Sequence, residues 1–169
     1  MAAHPTRRVV LAAAATLPLA ALSGCAGTDL LAAPPRPAPD VGLLRSAIAA
    51  EQLMIARYGA VLHGGPTAAV TSALEPLLAE HQAHLAQLRS RLVVPAGSPT
   101  MTPHAPASPT GVPSAHGAAV AYLRDAERAA AAALLDRLPH VPASLAQLFA
   151  SISASEATHV PVLDAALGR

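Results

Sequence analysis

The sequence predicts an all-α fold, a bundle of four helices with a long crossover between the second and the third, on three observations. Hydrophobic residues make up 53% of the chain but aromatics only 2%, so the apolar material is mostly Ala and Leu, strong helix formers and poor strand formers. Four segments place apolar residues at alternating steps of three and four, the spacing of a buried helix face. Between the second and third segments lies a stretch rich in Pro, Ser, Thr and Gly that has no such period. A short-looped up-and-down bundle is the alternative arrangement of the same helices. With 169 residues there is room for one such domain.

The amino terminus reads as an export signal. Arg7 and Arg8 precede an uninterrupted apolar and small-residue run from residue 9 to 24, the charged-then-apolar layout of a secretory leader. Thr6-Arg7-Arg8-Val9-Val10-Leu11 is similar to the twin-arginine export pattern, with Val where an aromatic often follows the Arg pair, so Sec export stays open. Leu22-Ser23-Gly24-Cys25 resembles a bacterial lipobox, which implies a signal over 1–24 and a lipidated Cys25 as the first mature residue. Cys25 is the only cysteine, so no internal disulfide can form. A transmembrane anchor is the alternative, but the run is short of the roughly 20 residues a spanning helix needs. Residues 25–40 then form a Pro- and Gly-containing tether, and 41–169 the bundle, with 95–116 as its disordered or mobile crossover. Without Arg7 and Arg8, nine Arg face ten acids and there is no Lys, which argues against a nucleic-acid surface.

The first helix is expected from Asp40, as N-cap, to Gly64-Gly65, with the stripe Leu44, Ile48, Glu51, Ile55, Tyr58 and Leu62. The second runs from about Pro66 to Leu92 on the stripe Val70, Leu74, Leu77, His81, His84 and Leu88, with Glu80 at its edge and Pro76 expected to kink it. The third, about Gly117 to Leu138, carries Val120, Leu123, Glu127, Ala130 and Leu134. The fourth opens near Pro142 with Ser144 as a cap and carries Leu145, Phe149, Ile152, Glu156, His159, Leu163 and Leu167, with Pro161 expected to weaken its last turns. His63, His104, His116 and His140 fall at helix ends or in loops and read as solvated.

The chain has five Glu; four of them fall one per helix, and Glu51, Glu127 and Glu156 sit squarely in apolar seams. Taking a carboxylate out of water costs several kcal/mol even after relaxation, so a cation, or Arg or His partners across the bundle, must compensate them. At this point the chain resembles the ferritin-like di-iron and di-manganese carboxylate families, in which two helices each supply one Glu and two others each supply Glu-x-x-His. Glu51 and Glu127 match the single-Glu helices, and Glu156-Ala157-Thr158-His159 matches the full motif, whose i, i+3 spacing sets both side chains on one face. Helix 2 departs from the pattern: Glu80-His81-Gln82-Ala83-His84 offers Glu80 with His84 at i, i+4, and either His81 or His84 as the imidazole. The resemblance implies metal ligands Glu51, Glu80, His84, Glu127, Glu156 and His159, with Tyr58 and His81 close by. It also implies an iron or manganese pair as cofactor.

The resulting expectation is a membrane-tethered protein on the extracytoplasmic face, binding metal or acting as an oxidoreductase on Fe(II), peroxide or O₂, with a homodimer among its assemblies. The alternative is a metal-free bundle serving as a structural or protein-interaction lipoprotein. A closed storage cage is disfavoured, since a lipid on every subunit is hard to combine with a soluble shell. Cys25→Ala should leave the chain unprocessed or soluble and without a lipid; a mutant that is processed like the wild type and still incorporates labelled fatty acid would overturn the lipid anchor.

Overall fold

The computed structural model describes residues 39–93 and 108–168. The expected signal, Cys25, the tether up to residue 38 and residues 94–107 of the expected crossover lie outside the described residues. Four α-helices make up the rest: α1 (Pro39–His63), α2 (Ala68–Arg91), α3 (His116–Leu135) and α4 (Ala143–Ala166), with a short 3-10 turn at Leu138–His140 before α4 and no strand among the described residues. None of these helices is long and apolar enough to cross a membrane.

The helix ends differ from expectation by a few residues, each for a local reason. Pro39 and Asp40, assigned to the tether, already belong to α1, where Asp40 lies in the first turn and its charge faces the positive end of the helix dipole. Gly64 and Gly65 stop α1 as expected: the Gly64 amide bonds back to Ala60 and Val61, and Gly65 takes the left-handed φ of 69° that other residues avoid. Helix α2 begins after Thr67, whose hydroxyl accepts from the Val70 amide at 3.4 Å, so the hydroxyl cap and not Pro66 sets its start. Helix α3 ends at Leu135, short of Leu138, because Pro139 disfavours an α conformation before it. Pro142 stands at the cap position of α4 in place of Ser144.

Pro76 and Pro161 lie inside α2 and α4, and both helices continue through them. Each proline is exposed, so the lost backbone bond falls on the water side while the buried neighbours, Leu74 and Leu77, His159 and Leu163, hold the helix in place.

The most extensive packing joins α1 to α2 and α3 to α4; α1 also meets α3, and α2 meets α4. Two apolar clusters fill the interior. One gathers Met54, Tyr58 and Val61 of α1, Leu74 and Leu77 of α2, Ala119, Val120 and Leu123 of α3, and Leu163 of α4. The other gathers Leu44 and Ala47, Leu88, Leu134, and Leu145, Phe149 and Ile152. The seam of α1 is therefore Leu44, Ala47, Glu51, Met54, Tyr58 and Val61, while Ile48, Ile55 and Leu62 are half-buried on its flank. In α3 the buried residue after Glu127 is Ala131, with Ala130 beside it, because a step of four keeps the face better than a step of three over that turn. Part of the expected crossover is also placed: Val112 packs on the first cluster, and the Thr110 carbonyl accepts from the Tyr122 hydroxyl at 3.4 Å.

Replacing Pro161 by Ala restores a donor in a helix interior that is already formed, so Pro161→Ala should raise stability by about 1–2 kcal/mol, part of the roughly 3 kcal/mol a helical proline costs. Urea unfolding monitored at the helical far-UV signal measures it, and an unchanged or lower midpoint would show that the ring itself packs usefully.

Candidate metal centre

Between the two apolar clusters the interior becomes polar. Glu51, His81, His84, Glu127, Ser153, Glu156 and His159 are all buried, and His81 and Glu127 are 0% exposed. The placement follows from register: Glu51 stands one turn from Met54 and Ala47, His81 and His84 lie between Leu77 and Leu88, Glu127 between Leu123 and Ala131, and Glu156 and His159 between Ile152 and Leu163. Each helix therefore interrupts its own apolar stripe at the same level of the bundle.

His81 is the centre of this layer. Its Nδ1 lies 2.8 Å from Glu51 Oε2 and its Nε2 2.8 Å from Glu127 Oε1. Glu127 Oε1 also accepts the Tyr58 hydroxyl at 2.5 Å and lies 3.1 Å from His159 Nδ1. Glu51 Oε1 lies 3.5 Å from His84 Nδ1, an ion-pair distance without a hydrogen bond. At the rim, Glu80 is half exposed, and its Oε2 accepts the Ser155 hydroxyl at 2.9 Å and stands 2.9 Å from His159 Nε2.

The environment splits the carboxyls into two kinds. Burial pushes the Glu127 carboxyl up, but the His159, His81 and Tyr58 bonds outweigh it and hold it down to about 2. Glu51 is lowered in the same way, burial being overcome by His81 and His84. Glu156 is raised to about 8, first by burial and then by the nearby charges of Glu51 and Glu127. Burial disfavours a charged His81, but its two carboxylate partners prevail and raise it to about 10. His159 is raised likewise by Glu127 and Glu80 against burial. Burial and the Glu127 charge push the Tyr58 hydroxyl well up, so it stays a donor.

Two donor groups have ligand atoms within 4.8 Å of one another: Glu51 with His81 and His84, and His81 with Glu127 and His159. Five buried atoms of the layer lack a well-directed hydrogen bond: Glu51 Oε1 and His84 Nδ1, which face each other at 3.5 Å, His159 Nδ1, which lies 3.1 Å from Glu127 Oε1, and Glu127 Oε2 and Glu156 Oε2. A buried polar atom left unmade costs about 1–3 kcal/mol, so orphans of this number at one level, all of them atoms able to ligate a metal, fit a cation.

Of the residues singled out by sequence, Glu51, Glu127, Glu156, His84 and His159 are thus brought together in the layer, with Tyr58 donating into it. Glu80 stands at its edge and reaches it through His159. His81, expected beside the site, instead lies at its middle; its place on the stripe between Leu77 and His84 is the sequence signal for this, whereas the Glu-x-x-His pattern points to Glu80. Ser155, which holds Glu80, lies off the seam and had no sequence signal. Glu156 and His159 share the buried face, but His159 pairs with Glu127 and Glu80. Comparison with protein-family models, with curated proteins and with solved structures gives no match for this chain.

Three of these shifts set the pH response of the metal-free protein. Glu156 and His81 both bind their protons more tightly when folded, so their contributions are complete below the ordinary carboxyl and imidazole ranges. They are lost as pH rises through about 8 and about 10 respectively. Glu127 acts in the other direction, losing its contribution as pH falls through about 2. Glu156→Gln should therefore remove much of the decline in stability between pH 5 and 8, leaving the metal-free variant more stable than wild type at pH 8 by on the order of 3 kcal/mol. Parallel melting-temperature curves for the two proteins across that range would show that Glu156 is not the strained group.

Proposed function

We propose that this chain is a ferritin-like bundle that holds a pair of divalent cations in the polar layer, iron first and manganese second, and that it does so on the outer face of a membrane through a lipid on Cys25. The observation that carries the reading is the set of five buried ligand atoms without a hydrogen bond, contributed at one level by all four helices. Hard carboxylates mixed with imidazoles suit iron and manganese, and no thiolate lies among the described bundle residues.

The helix order supports the same reading. The carboxy-terminal half of α1 shares a cluster with the amino-terminal halves of α2 and α3 and the carboxy-terminal half of α4. On that arrangement α2 and α3 run in one sense and α1 and α4 in the other, which supports a long connection between α2 and α3. A crossover of that kind belongs to the ferritin-like topology and not to an up-and-down bundle.

Glu51, His81 and His84 would hold one ion and Glu127, His159 and His81 the other, with the Glu156 carboxylate available to both. Bound iron or manganese would supply electron transfer to or from O₂, peroxide or Fe(II) itself. The protein's own part is to keep the donors in place. Tyr58 fixes one oxygen of Glu127 and leaves the other free, and the apolar clusters above and below exclude water. Glu80, half exposed and bonded to His159, joins the layer to solvent.

A metal-free interaction lipoprotein is the second reading, and one observation favours it: His81 already satisfies an oxygen of Glu51 and one of Glu127 without any ion. Metal binding by the full chain, purified in detergent, separates the two. Anaerobic titration should saturate near about two Fe(II) or Mn(II) per chain. A hundredfold excess over Kd should stabilise the fold by about 2.7 kcal/mol, and affinity should fall as pH falls, because ligands must lose protons. Glu156→Gln should lose at least one ion although it stabilises the metal-free fold. No saturable binding, together with a blank elemental analysis of protein taken from its own membrane, would leave the interaction reading.

A further inference from the structure

We propose that the His81 imidazole is the bridge between two cation positions, with Nδ1 facing the one made with Glu51 and His84 and Nε2 facing the one made with Glu127 and His159. The inference rests on the di-metal reading and names what joins the two ions.

His81 is the one residue common to both donor groups. Its nitrogens point in different directions, each to the carboxylate of a different group, at the same 2.8 Å. The ring is fully buried, and the other two imidazoles of the layer lie against it. His84 stands edge-on to it at 5.8 Å between ring centres and 89° between planes, and His159 at 5.1 Å and 81°. Tyr58 lies 5.2 Å away at 45°, so packing as well as hydrogen bonding fixes the ring's direction.

The carboxylates are not arranged to take the same role. Glu51 turns both oxygens toward α2, one on His81 and the other on His84. Glu127 commits Oε1 to Tyr58, His81 and the neighbourhood of His159 on the other side of the ring. Each of these two Glu therefore serves one group, and the group lying between them is an imidazole. An imidazole joins two ions only through both nitrogens. Each N–H proton leaves to solvent and the nitrogen lone pair it frees goes to a cation, so the bound form is an imidazolate between two first-row divalent ions of the class that accepts imidazole. Metal–nitrogen bonds of about 2 Å on either side of the ring would set the ions about 6 Å apart, beyond the roughly 3.5–4 Å of a carboxylate-bridged pair.

The test uses Cu(II) as a spin probe on the full chain in detergent. With Cu(II) filling both positions, the two spins should couple, and most of the electron paramagnetic resonance intensity expected for independent ions should be lost at low temperature. His81→Ala should recover the intensity of uncoupled ions. Added imidazole should restore the coupling, whereas 1-methylimidazole, with one nitrogen blocked, should not. Coupling that survives in His81→Ala, or that 1-methylimidazole restores equally well, would overturn the bridge. If His81→Ala does not fold, judged by its far-UV signal, the Cu–Cu separation in the wild type decides: a separation of about 3.5–4 Å overturns the proposal and about 6 Å bears it out. Two bound but uncoupled ions in the wild type remove the bridge and leave the di-metal reading standing. A wild type that binds no Cu(II), Fe(II) or Mn(II) removes both.

Discussion

The charge buried between the two apolar clusters is the constraint on which the rest of this bundle depends. Three carboxylates, Glu51, Glu127 and Glu156, lie at one level with exposures of 3%, 0% and 2%. Each would cost several kcal/mol unpaired, and a bundle of this size has only about 5–15 kcal/mol of net stability to lose. His81 answers two of them at once and His159 reinforces one, which is why Glu51 and Glu127 keep their charge while Glu156 is pushed toward its neutral form. The layer is thus compensated unevenly, and the uncompensated part is concentrated in one carboxyl on α4.

The clusters on either side make that arrangement tolerable. Tyr58, Phe149, Leu74, Leu88, Leu123, Ile152 and Leu163 are essentially inaccessible, and burying such side chains contributes about 1.5–3 kcal/mol each. They also hold the helices in register, so a donor on one helix cannot move along its axis without carrying a packed neighbour with it. Ser153 adds a direct tie, donating to the Ala131 carbonyl at 2.9 Å across the α3–α4 contact next to Glu156. The polar layer is therefore held open by packing, and its own hydrogen bonds need only set side-chain directions.

Much of this was legible in the sequence because the acids broke otherwise regular stripes. Leu74, Leu77, His81, His84 and Leu88 of α2, and Leu145, Phe149, Ile152, Glu156, His159 and Leu163 of α4, are buried as expected, whereas Val70 and Leu167 are half-buried and the buried Leu85 and Ser153 stand outside the expected stripes. The stripe of α1 was read with its intermediate positions one residue too late, since Ile48, Ile55 and Leu62 are more hydrophobic than Ala47 and as apolar as Met54 and Val61; residue type cannot say which of two neighbouring apolar positions faces inward when both suit the core. Pro66 and Ser144 looked like helix starts by chemistry alone, but Thr67 offered a hydroxyl one residue later, and Pro142 already took the extended backbone of a cap. Within the site, spacing identified which residues share a face but could not rank them by depth. Only the packing of four helices shows that His81 is central and Glu80 at the rim.

The imidazole at the centre also changes what the metal-free protein can do. Four carboxylates converging inside a bundle would repel one another and need cations even to fold. Here Glu80 is displaced to the rim, where water screens it, and a residue able to carry positive charge stands between two of the buried acids, Glu51 and Glu127. Under the di-metal reading the same ring then has two states. Protonated, it donates to Glu51 and Glu127 at once and offsets one of their two charges; deprotonated, it gives both nitrogens to the ions that take over that compensation. Exchanging the imidazolium for an imidazolate and two divalent cations adds two positive charges to the layer, while Glu51 and Glu127 stay ionised in both states. Glu156 is the exception, held near neutrality without metal and favoured as a carboxylate once cations arrive, which makes α4 the helix on which the difference between the empty and the loaded layer should fall.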